Sequence, residues 1–94
     1  MSDRTSWTEL RRELGVDRVH PAYDAARIAF ELGAEVRTLR EQRGWSQTEL
    51  ASRAGMTQSA MARFEAGGTV PTLPVLERIA SALEMRLSVA LIPA

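Results

Sequence analysis

Gln58, Ser59, Ala62 and Arg63 fall on the outer side of a short helical pattern, and their types suit contact with base edges. A glutamine carboxamide can pair bidentately with adenine, an arginine guanidinium with guanine, and an alanine methyl can meet the thymine methyl. Arg63 lies five residues after Gln58, near Ser59 on the same face. The plainer account makes all four ordinary solvated surface residues. A second set suits phosphate. Gln47 begins the preceding helix, where its side chain and the free backbone N–H groups can hold an anion. Ser46 and Thr57 stand at two helix starts, and Gly68 and Thr69 follow the second helix with backbone N–H groups to offer. Arg43 joins the phosphate candidates, although it and Arg53 also read as plainly solvated.

The elements that must position these residues are two short helices joined by a tight turn. Ser46 can cap the first, and Glu49 three residues on has capping-box spacing. Leu50, Ala51 and Ala54 give that helix a small apolar face. Gly55 stops it, because glycine turns left-handed without penalty. Thr57 is placed to cap the second helix. Ala60, Met61 and Phe64 point inward at helical spacing, and Gly67 and Gly68 end it. This is a helix-turn-helix whose second helix enters the major groove. Trp45 fits an apolar slot in the turn ahead of it, a core role rather than stacking on a base.

No catalytic set is present. His20 is the single histidine and precedes a proline. Without cysteine, a second histidine or a carboxylate cluster, no metal set arises. No glycine-rich phosphate loop follows a strand, and Gly67-Gly68 reads as a helix stop. No cofactor is expected.

Residues 36–83 resemble the Xre type of helix-turn-helix domain, the fold of Cro and the phage repressors. The match is carried by Val36, Leu39, Arg40, residues 43–47, Glu49-Leu50-Ala51, Gly55, Thr57-Gln58-Ser59, Arg63-Phe64-Glu65, Gly67 and the run Leu76 to Leu83. It covers about half the chain. The resemblance implies binding to double-stranded DNA, a phosphate contact at Gln47, and an internal ion pair between Arg40 and Glu65.

Composition sets the wider bounds. Ninety-four residues are one domain with a single modest core. A hydrophobic fraction of 45% with 26% charge fits a soluble globular protein. No apolar run reaches membrane-spanning length and no signal-peptide pattern opens the chain, so a cytoplasmic protein is expected. Absence of cysteine is compatible with a reducing compartment. The net charge of zero argues mildly against a nucleic-acid binder. The distribution softens that: residues 1–35 carry five Arg and seven acids, residues 36–72 five Arg and three Glu. All twelve cations are Arg, which suits phosphate and guanine and equally suits a GC-rich genome.

Outside the motif, Ser6 to Leu14 reads as a helix with a capping-box pair at Ser6 and Glu9 and a stripe of Trp7, Leu10 and Leu14. Gly15 ends it, and Val16 to His20 connects to Pro21, which suits the first turn of a long helix to about Arg43. That helix carries two apolar rows, Tyr23, Ala26, Phe30 and Ala25, Ile28, Leu32, Val36, Leu39. Two faces need two surfaces: the domain itself, and the Trp7 helix, a second copy or another protein. Gly33 in mid-helix is a weak point or a close approach. After Thr72, a further cap, Leu73, Leu76, Ile79, Ala80 and Leu83 form a core stripe.

Leu87, Val89 and Leu91 alternate with polar or small residues, a strand period, against the competing fifth helix of the phage repressors. The expectation is therefore an all-α, phage-repressor-like helix-turn-helix bundle with a short C-terminal β-strand. Residues 1–35 form an N-terminal helical extension, 36–84 the DNA-binding domain and 85–94 a strand that dimerises through Leu87, Val89 and Leu91. The expected function is a homodimeric sequence-specific regulator that represses by occupying a promoter. The alternative is an antitoxin: the segment from Leu83 to Leu91 resembles the strand that follows this domain in HigA- and HipB-type antitoxins. Such a protein neutralises a toxin partner and represses its own operon.

Overall fold

The computed structural model describes residues 21–94. The expected helix over 6–14, the connector over 16–20 and the side chain of Tyr23 lie outside the described residues. Within them the chain forms four helices: α1 Pro21–Gln42, α2 Gln47–Arg53, α3 Gln58–Glu65 and α4 Leu73–Ala82. Helix α3 packs against α1 and α2, and α4 packs against α2. Leu50, Ala51, Ala54, Met61, Phe64, Leu76, Ile79, Leu83 and Val36 form the shared core.

The expected caps are in place. Ser46 Oγ accepts from the Glu49 N–H at 3.0 Å, Thr57 Oγ1 from Ala60 at 3.1 Å and Thr72 Oγ1 from Val75 at 3.4 Å. At the first of these the Glu49 carboxylate accepts from Arg53 Nε at 3.0 Å instead of closing a capping box.

All four helices end alike. In each, the second residue past the end takes a left-handed turn, and the next N–H reaches back five residues. These bonds run from Trp45 to Arg40, Met56 to Ala51, Gly68 to Arg63 and Met85 to Ala80. This is the Schellman ending. Three of the left-handed positions are glycines, Gly44, Gly55 and Gly67. The fourth is Glu84, with φ of 58°. A residue with a Cβ is disfavoured there, and so the stop after α4 is invisible to a search for glycine.

The seam by which α1 meets the domain runs through Ala29, Gly33, Val36 and Arg40, at steps of four, three and four. It shares the buried Val36 with the expected row, of which Ala25, Leu32 and Leu39 are half-buried and Ile28 is 48% exposed. Phe30 of the other expected row is 62% exposed. Gly33 marks a close approach. A Cβ there would lie 2.2 Å from the Phe64 carbonyl oxygen and 2.9 Å from that of Glu65. Gly67 meets α1 from the other side, where a Cβ would sit 2.9 Å from Phe30 Cα.

The C-terminal strand is not formed, nor is a fifth helix. Residues 85–94 carry no regular secondary structure. A strand needs a neighbour to pair its backbone groups, and the described chain supplies none. The expected inward trio divides instead. Leu87 packs against the core, Val89 is 67% exposed and Leu91 is wholly exposed. The alternation that reads as a strand reports one side chain turned into the core.

Candidate nucleic-acid interface

Helix α3 exposes Gln58, Ser59 and Arg63, half-buries Ala62, and buries Met61, Phe64 and Glu65. At 3.6 residues per turn the four candidate base-reading side chains span an arc of about 140°. The buried side holds them rigidly, because Phe64 and Met61 are nearly inaccessible.

A chain of hydrogen bonds runs from this surface into the core. Gln58 Nε2 donates to Gln47 Oε1 at 2.8 Å. Gln47 Nε2 donates to Glu65 Oε1 at 3.1 Å. Glu65 accepts a bidentate pair from Arg40, Nε to Oε2 at 2.8 Å and Nη2 to Oε1 at 3.0 Å. Arg40 Nη1 donates to the Trp45 carbonyl at 2.7 Å, which ties α1 to the turn before α2. The side chains of Arg40 and Glu65 are 10% and 2% exposed. Hydrogen bonding to Glu65 is the main cause that holds the Arg40 guanidinium above its ordinary pKa, against the opposing effect of burial.

The direction of the chain follows from its inner end. An ionised carboxylate only accepts, so Gln47 must turn its NH2 toward Glu65 and its oxygen toward Gln58. Gln58 must then answer with its own NH2. Its Oε1 and second N–H remain, which are the acceptor and donor that an adenine edge requires.

The phosphate candidates separate. Ser46 and Thr57 accept through their oxygens as caps and keep their O–H groups to donate. Gln47 is half-buried and held between Gln58 and Glu65. Gly68 does not offer its backbone N–H, because that group donates to the Arg63 carbonyl at 2.8 Å to close α3. Thr69 is exposed just beyond it. Arg43 is committed to the fold: Nη2 donates to the Leu83 carbonyl at 2.6 Å and Nη1 to that of Leu39 at 3.0 Å. It thus closes the ends of both α4 and α1. Arg53 lies 4.1 Å from the Trp45 ring centroid, a cation–π contact over an indole that otherwise packs on the core.

Two participants escape the sequence reading. Arg78 of α4 donates from Nε to the Ala54 carbonyl at 3.0 Å, capping α2 from another helix. The Gln58–Gln47 bond joins residues 11 apart whose spacing carries no signal. Among the described residues no group of three or more His, Cys, Asp or Glu could hold a metal ion. No helix among them is long and apolar enough to cross a membrane.

Comparison with known proteins agrees with this geometry. The family described as a helix-turn-helix domain matches residues 31–90. The HTH-type transcriptional regulator SutR of Escherichia coli (strain K12) is 32% identical over 66 residues, covering 70% of this chain and 37% of that protein. Antitoxin HipB of the same organism is 31% identical over 58 residues, covering 62% of this chain and 66% of the relative. The chain thus spans less than two thirds of each relative's length. No solved structure matches. With a family match over most of its length and the capped helix pair in place, the chain belongs to the helix-turn-helix domain family, in the Xre-like form that its motif residues resemble.

Proposed function

We propose that this chain is a sequence-specific DNA-binding regulator that represses by occupying a promoter as a homodimer. The observation that carries the reading is Gln58, exposed at the start of α3 with a free acceptor and donor because Gln47 and Glu65 fix its amide. Gln58, Ser59, Ala62 and Arg63 read base edges. Ser46, Gln47, Thr57 and Thr69 meet phosphate, and Arg43 and Gly68 serve the fold. The homodimer rests on the tail, where Leu91 and Ile92 are 101% and 82% exposed. In such a dimer two α3 helices should meet successive major grooves, about 34 Å apart or a small multiple of that.

Selection of bound sequences from a random DNA pool tests the reading. The expected product is an inverted repeat whose half-sites lose affinity when Gln58 is replaced. A pool that enriches no sequence overturns it. Sedimentation of the chain without residues 91–94 tests the dimer, and an undiminished dimer moves the interface elsewhere.

A second reading, an antitoxin that also represses its own operon, is favoured by the likeness to a protein named antitoxin HipB. Its test is the neighbouring reading frame. Expression of that frame alone should arrest growth, and co-expression of this chain should restore it.

A further inference from the structure

The amide of Gln58 is held from behind. Buried Glu65 accepts from Arg40 through both oxygens and from Gln47 Nε2 through Oε1 at 3.1 Å. A carboxylate cannot donate, so Gln47 cannot turn its oxygen inward. That oxygen takes one N–H of Gln58 at 2.8 Å. Gln58 is exposed and would meet DNA with what is left, its own oxygen and one N–H. Exchanging the two ends of its amide would set its oxygen against that of Gln47, two acceptors with no proton between them. The buried Arg40–Glu65 pair thus fixes, through Gln47, which atom of Gln58 points which way.

We propose that this chain reads methylation as well as sequence. It binds its operator when the adenine that meets Gln58 carries an unmodified N6 amino group, and a methyl on that nitrogen releases it. The inference rests on the proposed reading of α3 as the base-reading helix. Adenine shows the major groove an acceptor at N7 and a donor at N6. Its N6 has two hydrogens, and the base pair uses one. A methyl on N6 of a paired adenine therefore takes the place of the hydrogen in the groove. Gln58 Oε1 then faces a carbon where its donor was, and an acceptor left dry and unpaired costs its full desolvation. A free glutamine would turn aside and keep a single bond to N7. Gln58 cannot do so without giving up Gln47. Its neighbour one turn on, Ala62, has no side-chain donor for the stranded oxygen. A site built around a hydrogen bond rejects the analogue that lacks it more strongly than an apolar pocket rejects a change of size. The methyl carries no charge, so phosphate contacts and their salt dependence stay as they were.

The experiment takes the operator selected from the random pool and makes duplexes with N6-methyladenine at one adenine of each half-site in turn. Fluorescence anisotropy follows binding of the full chain. At one adenine the methyl should weaken binding about tenfold or more, the worth of a bidentate pair, and at the others much less. Gln58→Ala should bind methylated and plain duplexes equally well. Gln47→Ala, which frees the amide, should show a smaller ratio than the unaltered chain. An operator with no sensitive adenine overturns the proposal. A ratio that persists in Gln58→Ala assigns the effect to DNA shape and also overturns it. A ratio unchanged in Gln47→Ala takes the orientation away from the buried network, with the same result. An adenine with carbon in place of N7 separates this failure from that of the reading beneath it. An operator weakened by loss of N7 but indifferent to the methyl keeps Gln58 as a base reader and sinks the methyl switch. A pool that enriches no sequence sinks both.

Discussion

Gln58 Nε2 donates to Gln47 Oε1 at 2.8 Å, so the residue proposed to read a base and the residue at the start of α2 share one hydrogen bond. On the proposed reading, the bond makes base readout depend on a side chain proposed to meet phosphate. It also fixes which end of the Gln58 amide is free.

Gln58→Ala should cost about 1–3 kcal/mol on the selected operator and leave nonspecific affinity nearly intact. Phosphate contact alone would make Gln47→Ala weaken all sequences equally. The structure adds a second effect: without Gln47 the Gln58 amide loses its orientation, so discrimination falls as well. A double-mutant cycle on operator DNA should give a clear interaction energy between the two. Strict additivity would show that the bond does not matter to readout.

Arg40→Ala leaves the buried Glu65 without its guanidinium and should destabilise the fold by about 3–5 kcal/mol. Replacing both, with Arg40→Met and Glu65→Met, should recover much of that loss, since neither charge is then stranded. Gln47 loses its inner acceptor in this double variant, so operator discrimination should fall although the fold is regained. Thermal melting and binding together decide it. The pH dependence has a definite sign. The folded pKa of Arg40 lies above its unfolded value, so its contribution is fully present below the ordinary arginine pKa and is lost only as pH rises through the folded one. This guanidinium should therefore cause no loss of stability between pH 7 and about 10.

A position inside α1 and one just past α4 should respond with opposite sign. Gly33→Ala drives a methyl into the Phe64 carbonyl and must push α1 away from α3, so the melting temperature should drop. Glu84→Gly relieves a left-handed residue and should stabilise by about 1 kcal/mol. A neutral result at Glu84 would mean that other contacts offset the strain of its backbone.

Operator affinity should fall steeply with salt despite the zero net charge, because phosphate contact releases counterions locally. Arg43→Ala should lower the melting temperature and leave the slope of that plot unchanged, since its guanidinium serves the Leu39 and Leu83 carbonyls. A slope that shrinks by about 1 would return Arg43 to the phosphate set.

The helix pair was legible because its signals are local. Ser46, Thr57 and Thr72 cap within three residues, and Gly55 and Gly67 supply the left-handed turns that end the two helices of the pair. Inward and outward positions on α3 follow from 3.6-residue spacing, so Met61 and Phe64 separate from Gln58 and Arg63 without tertiary information. The Arg40–Glu65 pair came from family resemblance, since nothing in a spacing of 25 residues marks it. Tertiary structure decided the remainder. Only the crossing of α1 over α3 explains Gly33, and only the end of α4 brings the Leu83 carbonyl to Arg43. The tail misled because alternation records which side chains are apolar and not whether a neighbour exists to pair the backbone. Leu87 found the core, and the residues after it found no partner strand within the described chain.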